Sequence, residues 1–99
     1  MNTAYYGKFR GIVMDANDPL GLARLRAKVP DVSGENPSGW AMPCLALVEG
    51  QGVRMVVPAV GASVWIEYEH GDPEYPIWSG CFWTSRDEVP VRLRSDQAA

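Results

Sequence analysis

The residues from 67 to 76, EYEHGDPEYP, are the stretch of this chain in which side chains capable of chemistry are most concentrated. His70 is the only histidine of the protein, and four carboxylates lie close to it in sequence: Glu67, Glu69, Asp72 and Glu74. Carboxylates beside an imidazole can bind a metal ion or transfer protons, provided that the side chains converge on one point. The stretch therefore allows two interpretations, a catalytic or metal-binding site and an exposed acidic hairpin.

The backbone requirements of a turn explain this composition without any catalytic role. Gly71 can adopt a positive φ, Asp72 can accept hydrogen bonds from its own turn, and Pro73 fixes the φ of the second turn position. Glu67 and Glu69 are two positions apart on the preceding strand, so they share one face of it. We therefore predict a turn here, and no catalytic residue, metal site or cofactor. Two alternatives stay open for Glu67 and Glu69, which face either water or the charges of another subunit.

Length and composition indicate one globular domain. The 99 residues suffice for a single modest core, and 46% hydrophobic with 21% charged residues is unlike a disordered chain. No apolar run approaches the roughly 20 residues that span a bilayer, and the N-terminus lacks the apolar segment of a secretion signal. We therefore expect folding in the cytoplasm. Cys44 and Cys81 belong to no metal-binding motif, and in a reducing compartment we expect both to be small core residues.

Charge is distributed unevenly along the chain, whose net charge is −3. Residues 8–28 carry a balance of +3 and the remainder therefore −6; the basic part contains Lys8, Arg10, Arg24, Arg26 and Lys28 against Asp15 and Asp18. Segregated charge of this kind fits a protein with two different contact surfaces. A basic hairpin face exposed to water is the alternative.

The first half of the chain predicts two antiparallel strands joined by a turn. Residues 8–15 are rich in β-forming side chains and end at NDPLG, where Asp18, Pro19 and Gly21 suit the positions of a type I turn. Residues 22–30 alternate between apolar and basic side chains. The apolar set, expected in the core, is Ala23, Leu25, Ala27 and Val29, and the opposite set is Arg24, Arg26 and Lys28.

The second half predicts three or four more strands. The segment 40–50 is apolar but contains Pro43, which favours either an irregular edge strand or a short helical turn followed by a strand. Residues 53–58 form a short strand after a turn at 51–52. Residues 62–70 alternate most clearly, with Val64, Ile66 and Tyr68 facing the core and Trp65, Glu67 and Glu69 facing outward. In the last strand one face carries Ile77, Ser79, Cys81 and Trp83, and the other carries Trp78, Gly80 and Phe82.

These elements together predict an all-β protein. Five or six short strands with turns every 8 to 12 residues are typical of a small barrel, here an OB-fold-like antiparallel barrel over residues 1–84. Residues 85–99 are polar and lack periodicity, so we expect a flexible C-terminal tail that only a partner orders.

The aromatic and charged side chains suggest a binding surface rather than an active site. Four tryptophans exceed what one small core requires, and aromatic side chains dominate interface energies. We predict a protein interface that involves Trp65, Trp78, Phe82, Trp83, Arg24, Arg26, Glu67 and Glu69, while burial in the core stays open for each tryptophan. Basic and aromatic side chains on an OB barrel also allow single-stranded nucleic acid as a ligand. The negative net charge argues against that alternative.

The order of the motifs resembles one known family. Gly11 on a strand precedes Asp18-Pro19 and the run from Arg24 to Pro30; Trp40 follows, then Pro58-Ala59-Val60-Gly61, the alternating strand into Gly71-Asp72-Pro73, and Pro76-Ile77-Trp78-Ser79-Gly80. This arrangement is similar to the OB-fold domain at the base of the central spike of contractile injection machines. The family includes phage baseplate assembly protein V, cell-puncturing spikes and VgrG proteins. Ala23 departs from the pattern, since the family usually has glycine there.

The resemblance implies a structural protein and not an enzyme. It implies a homotrimer that links a baseplate hub to a membrane-piercing spike, with no cofactor, no small-molecule substrate and only indirect contact with a membrane. Because the chain ends 15 residues after the barrel, we expect the needle of the spike to be a separate protein or to be absent. Assembly in the bacterial cytoplasm and a final location in a phage-tail baseplate or a related injection particle follow from the same resemblance.

Overall fold

The structure is a computed structural model that describes residues 3–45 and 57–93. Within these ranges five strands are present: β1 (Phe9–Asp15), β2 (Arg26–Lys28), β3 (Met42–Pro43), β4 (Ser63–Tyr68) and β5 (Pro76–Cys81). One α-helical turn, α1, covers Pro30–Ser33, and single 3-10 turns cover Glu69–Gly71, Arg86–Glu88 and Val91–Leu93. No helix in the described ranges is long and apolar enough to cross a membrane. The turn predicted at 51–52 and most of the strand predicted at 53–58 lie outside the described residues.

The strands form one curled sheet in the order β2-β1-β4-β5-β3. A further antiparallel bridge between Leu25 and Ala41 joins the segments next to β2 and β3, the two outermost strands, and so connects the edges of the sheet. The predicted all-β, OB-like fold is therefore confirmed. One detail differs, because β3 and β5 are parallel. These two strands are not consecutive, so no hairpin forces them to run in opposite directions.

The core lies on the inner face of the curled sheet and follows the predicted alternation, except that Ala23 is only half-buried, because its backbone with φ +60° departs from the extended strand. Seven side chains are completely buried and two are 7% exposed: Val13, Leu25, Ala27, Val29, Ala41, Val64 and Ile66, with Tyr68 and Trp78. Gly11 permits the closest approach between β1 and β4, since a Cβ there would lie 3.0 Å from Ile66 Cγ1. Alternate residues of β4 thus point inward because successive side chains of a strand face opposite sides.

A bulge in β5 reverses the alternation near its end. Ile66 pairs with Trp78 but Val64 pairs with Cys81, so β5 has one residue more than β4 over this interval. Gly80, with φ +133°, lies in the interval. Phe82 consequently faces the opposite side from Trp78, although the simple period of two predicts that they share a face. The backbone N–H of Phe82 continues the pairing by donating to Ser63 O at 3.2 Å.

Both cysteines are exposed and free, which corrects the expectation that they lie in the core. Cys44 follows β3 at the edge of the sheet, and Cys81 is the last residue of β5. At these positions too few elements surround the side chains to bury them.

The first part of the expected tail contains local structure. Glu88 Oε1 accepts hydrogen bonds from the backbone N–H groups of Thr84 and Ser85 at 2.6 and 3.0 Å, and Ser85 Oγ accepts one from Asp87 N–H at 3.2 Å. This capping box holds the 3-10 turn at Arg86–Glu88. These bonds favour the charged carboxylate and lower the pKa of Glu88. The turn remains on the surface and adds no side chain to the core.

Candidate assembly interface

The loop after β1 is organised by the carboxylate of Asp18. Its two oxygens accept the backbone N–H groups of Leu20, Leu22 and Arg24 at 2.9, 2.9 and 3.1 Å. They also accept Arg24 Nε at 2.9 Å and Nη2 at 2.7 Å. The hydrogen-bonded Arg24 guanidinium holds the pKa of Asp18 well below its ordinary range, against the opposing effect of burial. Gly21, with φ +66°, closes the turn by donating its N–H to Asp18 O at 3.1 Å.

The basic side chains of β2 and of Arg24 just before it are largely engaged within the chain. Arg24 has only 16% of its side chain exposed, and its guanidinium lies 5.5 Å from the ring centre of Trp40. Arg26 lies 6.0 Å from the same ring and donates Nε–H to Ser38 O at 3.0 Å. Lys28 Nζ is 3.5 Å from Glu35 Oε1. Arg24, which the sequence placed at an interface, is therefore a loop-holding residue, because its charged group is already neutralised.

The outer face of the sheet carries a cluster of one cation and two aromatic rings, Arg10, Trp65 and Phe82, which we call the outer-face cluster. The rings of Trp65 and Phe82 have their centres 4.3 Å apart. Arg10 lies beside Trp65 across the β1–β4 pair, and its guanidinium is 5.5 Å from that ring and 5.0 Å from the ring of Phe82. The bulge in β5 makes this cluster possible by turning Phe82 outward. From the sequence, both rings were predicted to lie at an interface, but Arg10 was not. The available signal was that Arg10 follows Lys8 by two positions, which puts both side chains on the same face of the strand predicted over residues 8–15.

An ion pair lies next to the outer-face cluster, two positions before Arg10 at the start of β1 and two after Trp65 along β4. Lys8 Nζ is 3.3 Å from Glu67 Oε1, with 53% and 36% of the two side chains exposed. Large apolar side chains that the sequence patterns did not indicate are also exposed: Ile12 and Met14 on β1, and Leu20, Leu22 and Val60 in loops. Ile12 and Met14 share the outer face of β1 with Arg10, so they add apolar area next to the cluster.

The two tryptophans of the β5 region have different environments. Trp78 is 7% exposed and donates Nε1–H to Ala23 O at 3.0 Å, so it belongs to the core, which corrects its predicted place at an interface. The physical reason is that Trp78 pairs with Ile66 across β4 and β5 before the bulge, so both side chains point to the inner face of the sheet. Trp83 lies beyond the end of β5 and is 55% exposed.

The acidic hairpin is built as a turn. Asp72 Oδ1 accepts Glu74 N–H and Asp72 O accepts Tyr75 N–H, both at 2.9 Å, with Pro73 between them. Gly71 has φ +74°, and its carbonyl accepts Tyr5 N–H at 2.8 Å. Glu69 and His70 are exposed. Among the described residues, no group of three or more His, Cys, Asp or Glu side chains is arranged to hold a metal ion.

The curled five-stranded sheet with joined edges defines an OB-fold domain. Residues 9–83 match the family of Type VI secretion system/phage-baseplate injector OB domains, and the chain belongs to this family. It is also similar to the Type VI secretion system spike protein VgrG4b of Pseudomonas aeruginosa, with 36% identity over 61 residues. That match covers 61% of this chain but only 7% of the spike protein. The family predicted from the order of motifs is therefore confirmed.

Proposed function

We propose that this chain is a structural adaptor in the baseplate of a contractile injection machine, where three copies form a ring that links the central hub to the membrane-piercing spike. The observation that carries this proposal is the match of residues 9–83, the whole barrel, to the injector OB-domain family. The spike relative supports it over a shorter stretch. The proposal needs no cofactor, no small-molecule substrate and no catalytic residue.

The barrel suits a mechanical role. The bridge between Leu25 and Ala41 joins its outermost strands, and the Asp18–Arg24 pair holds the loop between β1 and β2. A rigid unit of this kind can transmit thrust from the hub to the spike when the sheath contracts. A ring is self-limiting, because a head-to-tail interface that closes after three copies leaves no surface for a fourth.

The partners in this proposal are a baseplate hub protein and a separate spike or needle-tip protein. Contact with a membrane is then indirect, through the spike alone. Assembly takes place in the bacterial cytoplasm, and the finished protein belongs to a phage-tail baseplate or a related injection particle.

Deletion of the gene in the organism that encodes this chain tests the proposal. We expect the deletion strain to produce no contractile particles, or particles without a spike, by electron microscopy and mass spectrometry, and a plasmid copy to restore them. Complete particles in the deletion strain would refute the adaptor role. A plasmid copy with Asp18→Ala, which removes the carboxylate of the loop, is compared with the original copy. This change alters the loop and leaves the sequence of the barrel strands unchanged.

A binding measurement separates this function from the nucleic-acid alternative. The rings of Trp65 and Phe82 face each other and Arg10, while Arg24 is engaged with Asp18 and Arg26 with Ser38. We therefore expect no binding of single-stranded oligonucleotides at about 50 mM salt, where nonspecific phosphate contacts are strongest. Tight binding that weakens steeply with salt would favour a nucleic-acid-binding module instead.

A further inference from the structure

Arg10 differs from the other cationic side chains of the region. Lys8, Arg24 and Lys28 each lie within ion-pair distance of a carboxylate, and Arg26 donates to a backbone carbonyl. The guanidinium of Arg10 lies against the rings of Trp65 and Phe82 and has no ion-pair partner among the described residues. The rings hold the guanidinium in place but accept none of its five N–H donors in the geometry of a hydrogen bond. Arg10 therefore presents a fixed, exposed charge that is ready to bind a carboxylate.

The acidic hairpin carries exposed carboxylates, whose charge is opposite to that of Arg10. Glu69 and Glu74 are exposed and have no ion-pair partner among the described residues, whereas Asp72 is used within its turn. Tyr75 beside them is 61% exposed, which gives the hairpin an apolar contact as well. The hairpin thus combines free negative charge with an aromatic side chain, a composition that suits a contact with a cation held on aromatic rings.

The hairpin and the outer-face cluster of one molecule lie apart along β4. Arg10 is beside Trp65, and Phe82 pairs with Ser63, so the cluster extends away from the hairpin end of β4. Glu69 follows Trp65 by four positions, which is about 13 Å of extended strand. The guanidinium leans toward Phe82 and therefore away from Glu69. Each of these two surfaces consequently remains available to another molecule.

We infer that Arg10 in the outer-face cluster of one copy binds Glu69 and Glu74 in the acidic hairpin of the next copy. This inference rests on the proposed ring, since a head-to-tail ring requires two different surfaces that complement each other on the same chain. The guanidinium of Arg10 and the exposed carboxylates of Glu69 and Glu74 provide that complementarity, since the other cations of residues 8–28 are engaged within the chain. The pre-formed position of Arg10 lowers the ordering cost of the contact.

Charge reversal followed by analytical ultracentrifugation tests the inference on the full chain. We expect Arg10→Glu to weaken self-association at least about tenfold, and the double change Glu69→Lys with Glu74→Lys to do the same. All three changes in one chain restore association to within about threefold of the original, because the charges again oppose each other. Lys28→Glu is the matched control, since it reverses a charge on the same sheet outside the cluster, and it changes association less than about threefold. Raising the salt concentration weakens the original association.

Each contrary result has a distinct meaning. Unchanged association of Arg10→Glu would overturn the inference and leave the proposed ring intact. Loss in both charge-reversed variants without recovery in the combined one would also overturn it, because the two surfaces then do not meet. An original chain that stays monomeric throughout would overturn it too, while the gene deletion still decides the adaptor function. Should Arg10→Glu fail to fold by circular dichroism, the hairpin variant decides, since its changes lie at exposed turn positions.

Discussion

The guanidinium of Arg24 meets the carboxylate of Asp18 at two points, with Nη2 2.7 Å from Oδ1 and Nε 2.9 Å from Oδ2. Only 4% of the Asp18 side chain is exposed, although the loop around it lies on the surface. The pair spans six positions of sequence and also organises the backbone between them. Leu20 and Leu22 are thereby held in fixed positions while 66% and 49% exposed.

Replacing Asp18 by Asn should loosen this loop. The amide group keeps one acceptor oxygen but puts an N–H₂ donor where the second oxygen accepts hydrogen bonds, and it leaves Arg24 without its counter-charge. We expect a lower melting temperature and faster cleavage by trypsin after Arg24, measured by calorimetry and by mass spectrometry of the digest. Asp31→Asn, at an exposed carboxylate, is the control and should change neither quantity. Equal behaviour of the two variants would contradict the role of Asp18.

The same pair predicts how stability responds to acid. The pKa of Asp18 is lowered in the folded chain from its ordinary value of 3.8, chiefly by the hydrogen-bonded Arg24. Its contribution to the free energy of unfolding is therefore complete above the unfolded pKa and is lost as the pH falls through the lower, folded pKa. Urea titrations from neutral pH into the acid range should show the difference between the original chain and Asp18→Asn shrinking only below about pH 4. A difference that vanishes already near pH 6 would contradict this assignment.

Ala23 should become more favourable as glycine. It has φ +60°, a left-handed conformation that costs an L-residue about 1–2 kcal/mol, while glycine loses about 0.5–1 kcal/mol of backbone entropy on folding. We expect Ala23→Gly to raise the free energy of unfolding by about 0.5–1 kcal/mol in urea denaturation. Ala16→Gly, which is also half-buried but has no positive φ, should lower it. A loss of stability in both variants would show that the Ala23 methyl group matters more than its backbone strain.

Substitutions at two glycines with positive φ distinguish the cost of backbone strain from the cost of a steric clash. A Cβ at Gly71 would lie 2.8 Å from Tyr6 Cε1 and 3.2 Å from Tyr5 N, whereas a Cβ at Gly7 would meet nothing within 4 Å. We expect Gly7→Ala to cost about 1 kcal/mol, from strain alone. Gly71→Ala should cost about 2–4 kcal/mol, since the N-terminal segment must also move. Similar losses for the two variants in chemical denaturation would show that the segment gives way freely.

The hydroxyl group of Tyr68 should ionise at a higher pH than that of an ordinary tyrosine. Burial, together with the nearby Tyr5, raises the pKa of Tyr68 from 10.0 to about 12. Ultraviolet titration of tyrosinate should therefore show one late group that Tyr68→Phe removes. Because the folded state holds the proton more tightly, the contribution of Tyr68 is complete below pH 10 and is lost as the pH rises from 10 to 12. The free energy of unfolding of Tyr68→Phe should fall less over this interval, and an equal fall would contradict the assignment.

The tryptophans of the β5 region should respond to substitution by very different amounts. Trp78→Phe removes buried area and leaves Ala23 O without its hydrogen bond, so we expect it to lower the free energy of unfolding by about 2 kcal/mol. Trp83→Ala, at a 55% exposed side chain, should change it by less than about 0.5 kcal/mol. Chemical denaturation followed by circular dichroism measures both. A larger loss at Trp83 would mean that it packs against the chain in solution.

The alternating patterns predicted much of the core correctly. Leu25, Ala27 and Val29 are buried as expected, and so are the inward residues of β4. These assignments needed only the local geometry of a strand, in which every second side chain shares a face. The acidic hairpin was equally local, because Gly71 and Asp72 meet the backbone requirements of the turn by themselves.

The positions of the interface candidates depended on contacts between distant parts of the chain. The bulge near Gly80 exists because β5 pairs with β4 in a particular register, and that register sends Phe82 outward to Trp65. The same pairing puts Trp78 opposite Ile66 on the inner face, where its indole reaches the carbonyl of Ala23.

By itself, then, the sequence determined the all-β class, the turns and most of the buried set, since these follow from the period of the backbone and the preferences of single residues. Only the tertiary structure decided that Arg24 is neutralised by Asp18 and that Arg10 is held on two rings without a polar partner among the described residues. Both outcomes depend on which strands and loops become neighbours. A pattern along one strand does not contain the distance between residues of different strands or loops.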